Sequence, residues 1–219
     1  GGGIQTYDKT TNSFETFNTA NSRLTTDYVN TIVKGRNGQF YIGTTYGICQ
    51  FSPSAKSVSY LNIENLSNKT INQLLIDSRG LLWIATRDGL NVYDTDKRHL
   101  YPVVLNQSTP HQFILGIVEG ADRSMWITVD SELYNCQVSF DRNSAEYKFK
   151  SMQYGGKDGI VSGTFNQRSM CLLPTGDILA GNLSGIVKID PANIEYNQHA
   201  PKVKFTDIYL KNERLEIGN

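Results

Sequence analysis

The chain has 219 residues, with 21 Lys+Arg against 21 Asp+Glu and 39% hydrophobic residues that include 12 Tyr and 9 Phe. This composition is globular and long enough for one large domain, and the zero net charge gives no electrostatic drive toward nucleic acid or an anionic membrane. No apolar run reaches the roughly eighteen residues that would suggest a membrane helix, and the opening Gly1-Gly-Gly-Ile4 lacks the regions of a signal peptide.

The first elements are two short alternating strands, Gly3 to Tyr7 and Ser13 to Phe17. Gly3-Ile4-Gln-Thr-Tyr7-Asp8 matches Gly89-Leu90-Asn-Val-Tyr93-Asp94, so the chain is expected to begin inside a repeat. The complete unit follows later. A strand at Ile71 to Ile76 leads through the turn Asp77 to Gly80 into a second strand, Leu81 to Thr86. Arg87-Asp88-Gly89 then makes a hairpin into a third strand, Leu90 to Tyr93, and a fourth lies around His99 to Val103. The signature Gly80-Leu-Leu-Trp83-Ile-Ala-Thr-Arg-Asp-Gly89-Leu90 has counterparts at Gly38 to Ile48, Met125 to Leu133 and Gly176 to Ile186. Aligned on Tyr41, Trp83, Trp126 and Leu179, these copies are 42, 43 and 53 residues apart.

Four antiparallel strands in about forty residues make one β-propeller blade. The expected fold is therefore all-β, a partial propeller of about four and a half four-stranded blades. A partial blade is placed at 1–20 and blades at about 25–65, 66–107, 108–152 and 164–196. The aromatic of each second strand is expected to pack between blades. The excess in the last spacing is assigned to 151–168, a stretch that reads as an extended loop. Cut strand edges at the ends of such an arc are expected to associate with another chain.

Three cysteines, Cys49, Cys136 and Cys171, show neither metal-site nor disulfide spacing, and Cys49 and Cys136 fall in strands as small buried hydrophobes. No catalytic motif is present, so no catalytic residue, metal or cofactor is expected. One face of the arc gathers the loops between second and third strands and those entering each new blade. On it stand the candidate binding residues Tyr46, Arg87, Asp88, His111, Asp130, Glu132, Phe165, Asn166 and Arg168. Aromatics, Arg and amides of this kind suit a neutral or weakly anionic sugar better than they suit turnover. The copy at Asp130 to Glu132 lacks the hairpin Gly. A left-handed Glu there would cost about 1 kcal/mol, so a different turn is expected.

Residues 80–94 closely resemble the two-component-regulator propeller repeat, and residues 185–212 resemble the junction from such a propeller into a triple-tyrosine immunoglobulin-like domain. On that likeness 197–219 would hold a linker and the first strand of the second domain. The resemblance implies the periplasmic sensor region of a Bacteroides-type hybrid two-component histidine kinase. Such a parent would be membrane-anchored, would detect an oligosaccharide, would act as a homodimer and would control transcription, with no nucleic acid bound by this segment. A propeller-fold polysaccharide lyase or glycosidase, and a structural spacer or dimerisation propeller, are the alternatives. They are distinguished by turnover on uronic-acid polymers and by ligand titration.

Overall fold

The computed structural model describes residues 2–161 and 163–194, with the backbone of 209–210 and 213–214. Strands β1 (Ile4–Asp8) and β2 (Ser13–Phe17) form a two-stranded antiparallel sheet, here called blade 1. Blade 2 comprises β3 (Val29–Lys34), β4 (Phe40–Thr44), β5 (Gly47–Ser52) and β6 (Ser57–Leu61). Blade 3 comprises β7 (Ile71–Ile76), β8 (Leu82–Thr86), β9 (Gly89–Asp94) and β10 (His99–Val103). Blade 4 comprises β11 (Ile114–Glu119), β12 (Met125–Val129), β13 (Glu132–Asp141) and β14 (Glu146–Tyr154). Blade 5 has three strands among the described residues, β15 (Phe165–Leu172), β16 (Ile178–Asn182) and β17 (Gly185–Ile189). Every sheet runs in sequence order, so each blade is a meander. The expected immunoglobulin-like strand lies largely outside the described residues, where only β18 (Tyr209–Leu210) and β19 (Glu213–Arg214) are seen, paired as a short ladder.

The apolar interior is divided into four clusters, each filling the gap between two consecutive blades. Strand periodicity explains this division, because alternate side chains leave opposite faces. On β8, Leu82 and Ile84 pack toward blade 2, while Trp83 and Ala85 pack toward blade 4. Trp83 is 0% exposed and meets Phe149 of the next blade edge to face, with ring centroids 5.7 Å apart. Trp126 is buried between blades 4 and 5 in the same manner, its ring stacked on Tyr154 at 5.8 Å. The second-strand aromatics are thus packing residues.

The turn before Trp83 is held by one buried carboxylate. Asp77 Oδ1 accepts from the backbone N–H of Arg79 and of Leu81, both at 2.9 Å. Its Oδ2 accepts from Arg79 Nη1 and from the Trp83 indole N–H, both at 3.1 Å. In blade 4 the corresponding position is Gly120, and Trp126 Nε1 has no acceptor among the described residues. One blade is therefore clasped through its Trp and the next is not.

Blades are also joined near the axis by side-chain amides. Asn30 Nδ2 donates to Ile71 O at 2.8 Å, and Asn72 Nδ2, one repeat later, donates to Ile114 O at 2.8 Å. Gln73 makes a reciprocal pair with the backbone of Ile117, each bond 3.0 Å. Inner strands too splayed to share a backbone ladder are stitched this way, which satisfies carbonyls that packing has removed from water.

The long interval before blade 5 is distributed differently from the sequence expectation. Leu133 pairs with Tyr154 where Leu90 pairs with Val103, so the β13–β14 hairpin spans 21 positions against 13 and is eight residues longer. Two further residues enter β15 as an enlarged bulge. The segment between β14 and β15 matches the length of its blade 3 counterpart. The reason is pairing: residues 137–141 and 146–150 find partners in each other and lie as a ladder, with Phe140 and Tyr147 packed around Lys97 of blade 3.

Asp77→Ala should lower stability by about 3 kcal/mol in denaturant unfolding, since two buried donors lose their acceptor; a loss under about 1 kcal/mol would mean the clasp is incidental. Thiol chemistry gives a second check. Cys49 and Cys136 are buried and Cys171 is exposed, and burial pushes the Cys136 thiol up to about 12. At pH 8 a disulfide reagent should titrate Cys171 alone in the folded protein and all three thiols after unfolding.

Candidate functional site

The β4–β5 and β8–β9 hairpins share one design. Thr44 pairs with Gly47 and Thr86 with Gly89, and each Thr hydroxyl bonds both sides of the two-residue loop between them. Gly47 and Gly89 take left-handed φ values of 95° and 108°, a region that L side chains rarely enter. Their N–H groups then dock the hairpin on the strand entering the next blade, at Lys69 O and Gln112 O, both 2.7 Å.

Blade 4 departs from this design. Val129 replaces the Thr and brings no hydroxyl, while Glu132 replaces the Gly. The left-handed residue becomes Asp130, at φ 45°, two positions earlier. The turn is therefore different, as the missing Gly requires. Docking also reverses: Phe165 N–H donates to Asp130 O at 2.7 Å, and the Thr164 hydroxyl donates to Asp130 Oδ1 at 3.0 Å.

Behind this altered turn lies an open cleft of about 760 Å³ between blades 4 and 5, bordered by the segment leaving blade 3. His111, Asp130, Glu132, Phe165 and Asn166 line it together. The Glu132 carboxylate is fixed by two donors, the Tyr134 hydroxyl at 2.7 Å and Gln153 Nε2 at 2.6 Å. Gln153 is steadied in turn by Asn106 Nδ2 at 3.1 Å. Burial raises the Tyr134 phenol above its ordinary value; the Gln112 amide opposes this and the neighbouring Glu132 adds to it. Tyr134 therefore keeps its hydroxyl hydrogen at neutral pH and donates it in a hydrogen bond to Glu132, a residue of the cleft wall.

The remaining candidates are placed around this cleft or away from it. Asp88 reaches it through His111, whose Nδ1 is 3.2 Å from Asp88 Oδ1 in an exposed pair. The Arg87 guanidinium lies 5.9 Å from the ring centroid of Phe113, a lining residue. Tyr46 is outside the cleft on the blade 2 hairpin, with Lys69 Nζ 5.5 Å over its ring. Arg168 turns away, and its Nη1 donates to Asn30 O at 2.6 Å. Phe165 contributes a cleft wall but is 2% exposed and belongs to the blade 4–5 core.

Residues 65–88 match the model of the two component regulator propeller family. The matched segment carries strands β7 and β8 of blade 3. The chain is 23% identical over 227 aligned positions to histidine kinase P4 of Formosa agariphila, an alignment covering 78% of this chain and 16% of that protein. Two solved structures from B. thetaiotaomicron share the fold of this chain. The extracellular domain of one putative hybrid two component system superposes with a TM-score of 0.65 at 22% identity, covering 81% of this chain and 23% of that one. A second superposes at 0.66 and 18% identity, covering 85% and 24%. The chain thus spans about a quarter of these solved domains and about a sixth of the curated kinase.

Asn106, Thr109 and Phe113, on the segment that leaves blade 3, are among the lining residues outside the candidate set. The polar run Asn106 to Pro110, just after the last residue of a fourth strand, carries the only local signal. It marks the turn by which blade 3 hands over to blade 4. Asp130→Ala should destabilise the fold by about 1–2 kcal/mol, through a left-handed Ala and the lost Thr164 bond, whereas Ser131→Ala at the exposed neighbouring position should leave the melting temperature unchanged.

Proposed function

We propose that this chain is part of the extracytoplasmic sensor region of a hybrid two-component histidine kinase. In this reading it is non-enzymatic, and the cleft between blades 4 and 5 receives a neutral oligosaccharide. The observation that carries it is the collection of amides, carboxylates and an imidazole from blades 4 and 5 and the segment between blades 3 and 4 around one open cleft. Sugar hydroxyls pair with such groups as both donors and acceptors, and the Phe113 ring beside Arg87 offers an apolar surface for a sugar face. Glu132 and Asp130 each have a committed donor, which favours binding over turnover.

The proposed route of the signal is a population shift. Ligand held between two blades favours one blade arrangement, which biases paired receptors and, through the kinase, transcription.

Calorimetric titration of the whole sensor region with neutral xylo-, manno-, gluco- and galacto-oligosaccharides tests this reading. Binding of one series should weaken about five- to tenfold in Asn166→Ala, Gln112→Ala and Glu132→Gln, the cost of one hydrogen bond each. Phe165→Ala is not informative, because it removes a core ring. Unchanged affinity in all three polar variants would move the binding site elsewhere and leave this segment as a spacer.

A further inference from the structure

Strand β15 carries an irregularity that the other inner strands lack. Each of β3, β7 and β11 has one unpaired residue after its first ladder pair, namely Asn30, Asn72 and Leu115. In β15 the ladder passes from Phe165 opposite Asn182 to Met170 opposite Ala180. The Ser169 hydroxyl holds the place opposite Gly181, bonding its carbonyl at 2.9 Å, so Asn166, Gln167 and Arg168 fill the step that one residue fills elsewhere. The same hydroxyl also bonds Asn166 O at 2.7 Å and closes the bulge on itself.

The two halves of this bulge face different parts of the molecule. Asn166 and Gln167 line the cleft between blades 4 and 5. Arg168 adopts a left-handed φ of 56°, strained for a residue with a Cβ, and its guanidinium reaches Asn30 O on blade 2, 138 positions away in sequence. At 2.6 Å this is a short charge-assisted bond. The Asn30 amide in turn holds Ile71 O of blade 3. An unbroken series of contacts therefore runs from the cleft wall through Arg168 to the opposite side of the arc.

We infer that Arg168 is a positioning residue for the cleft: anchored on Asn30, it sets where Asn166 and Gln167 stand and couples cleft occupancy to the contact between blades 5 and 2. This rests on the reading of the cleft as a ligand site. The coupling is reciprocal, so a ligand that displaces the bulge loosens the anchor, and loss of the anchor alters the affinity of the cleft. The strained φ fits this role, because a backbone held out of its preferred region persists only while the contacts around it, here the Asn30 anchor and the Ser169 bonds, determine it.

The test delivers a sugar covalently. In a Cys171→Ser background, Ser131→Cys on the cleft margin is modified with a glucose-bearing methanethiosulfonate, and the methyl reagent serves as the control. Hydrogen exchange of Val29–Lys34 is then followed by mass spectrometry. Glucose should change exchange in this blade 2 strand by roughly threefold relative to methyl. The change should vanish in Arg168→Ala, and Arg168→Lys, which keeps a donor, should restore it. Arg168→Gly relieves the left-handed strain and also removes the anchor, so it should behave like the Ala variant even if that variant folds poorly. Equal responses with and without the Arg168 side chain, or no response in either, would overturn the inference. Tethering places the sugar in the cleft whether or not free saccharides bind there, so failure here leaves the sensing proposal standing, and failed titrations leave this coupling standing.

Discussion

Everything in this molecule depends on the burial of second-strand side chains between blades. A single four-stranded blade such as β7 to β10 has two apolar faces and no interior, so it cannot exclude water from either face alone. Trp83 becomes fully buried only because blade 4 supplies Phe149 and Tyr134 opposite it. Removing a side chain of that size from water contributes on the order of 3 kcal/mol, and each interface collects many such residues. Stability is therefore distributed over the interfaces, and the relative placement of neighbouring blades is set by side-chain shape more than by backbone pairing. The amide stitches of Asn30, Asn72 and Gln73 refine that placement near the axis, where the strands converge but do not pair.

The same constraint explains why chemistry collects on one face. Because the strand sequence of every blade is fixed by packing, the hairpin after each second strand and the segment entering the next blade always emerge together. In blades 2 and 3 a left-handed Gly closes the two against each other through a single backbone bond. Blade 4 has lost both the Thr and the Gly that make this closure, and it substitutes Asp130 as the docking group. The site is thus a local failure of the repeat. Positions freed from the packing rule are the ones at which polar groups can be turned outward at little cost to the core.

Much of this was legible in the sequence because the repeat states its rule several times. The recurrence of Tyr41, Trp83 and Trp126 at nearly constant spacing identified the blades, and the alternation around Leu82 to Thr86 identified two buried faces. The exception at Glu132 was visible as well, since a left-handed position without Gly must be solved some other way. What the sequence concealed was long-range. The ladder that lengthens the β13–β14 hairpin through residues 137–150 depends on cross-strand partners, and without them the surplus was assigned to the stretch that follows, 151–168. Arg168 stands two residues from Asn166, where regular strand alternation would put both side chains on one face, yet it faces the other way because the bulge turns the chain at its left-handed φ of 56°. Phe165 was named for its aromatic ring, but its register in β15 assigns that ring to the core.

A cleft placed between blades has a consequence that a cleft within one sheet would lack. Sheets are stiff along their ladders, and the softer coordinate is the angle between neighbouring blades, which is governed by side-chain packing. A ligand can shift a conformational equilibrium only by the difference in its affinity for the two states. Groups that bridge two blades and change their spacing with that angle supply such a difference, whereas groups fixed on one strand do not. Asp130 and Glu132 belong to blade 4, Asn166 and Gln167 to blade 5, and Gln112 to the segment between blades 3 and 4. A molecule that satisfied all of them would bind one blade angle better than another, and that difference would set how far it could shift the equilibrium.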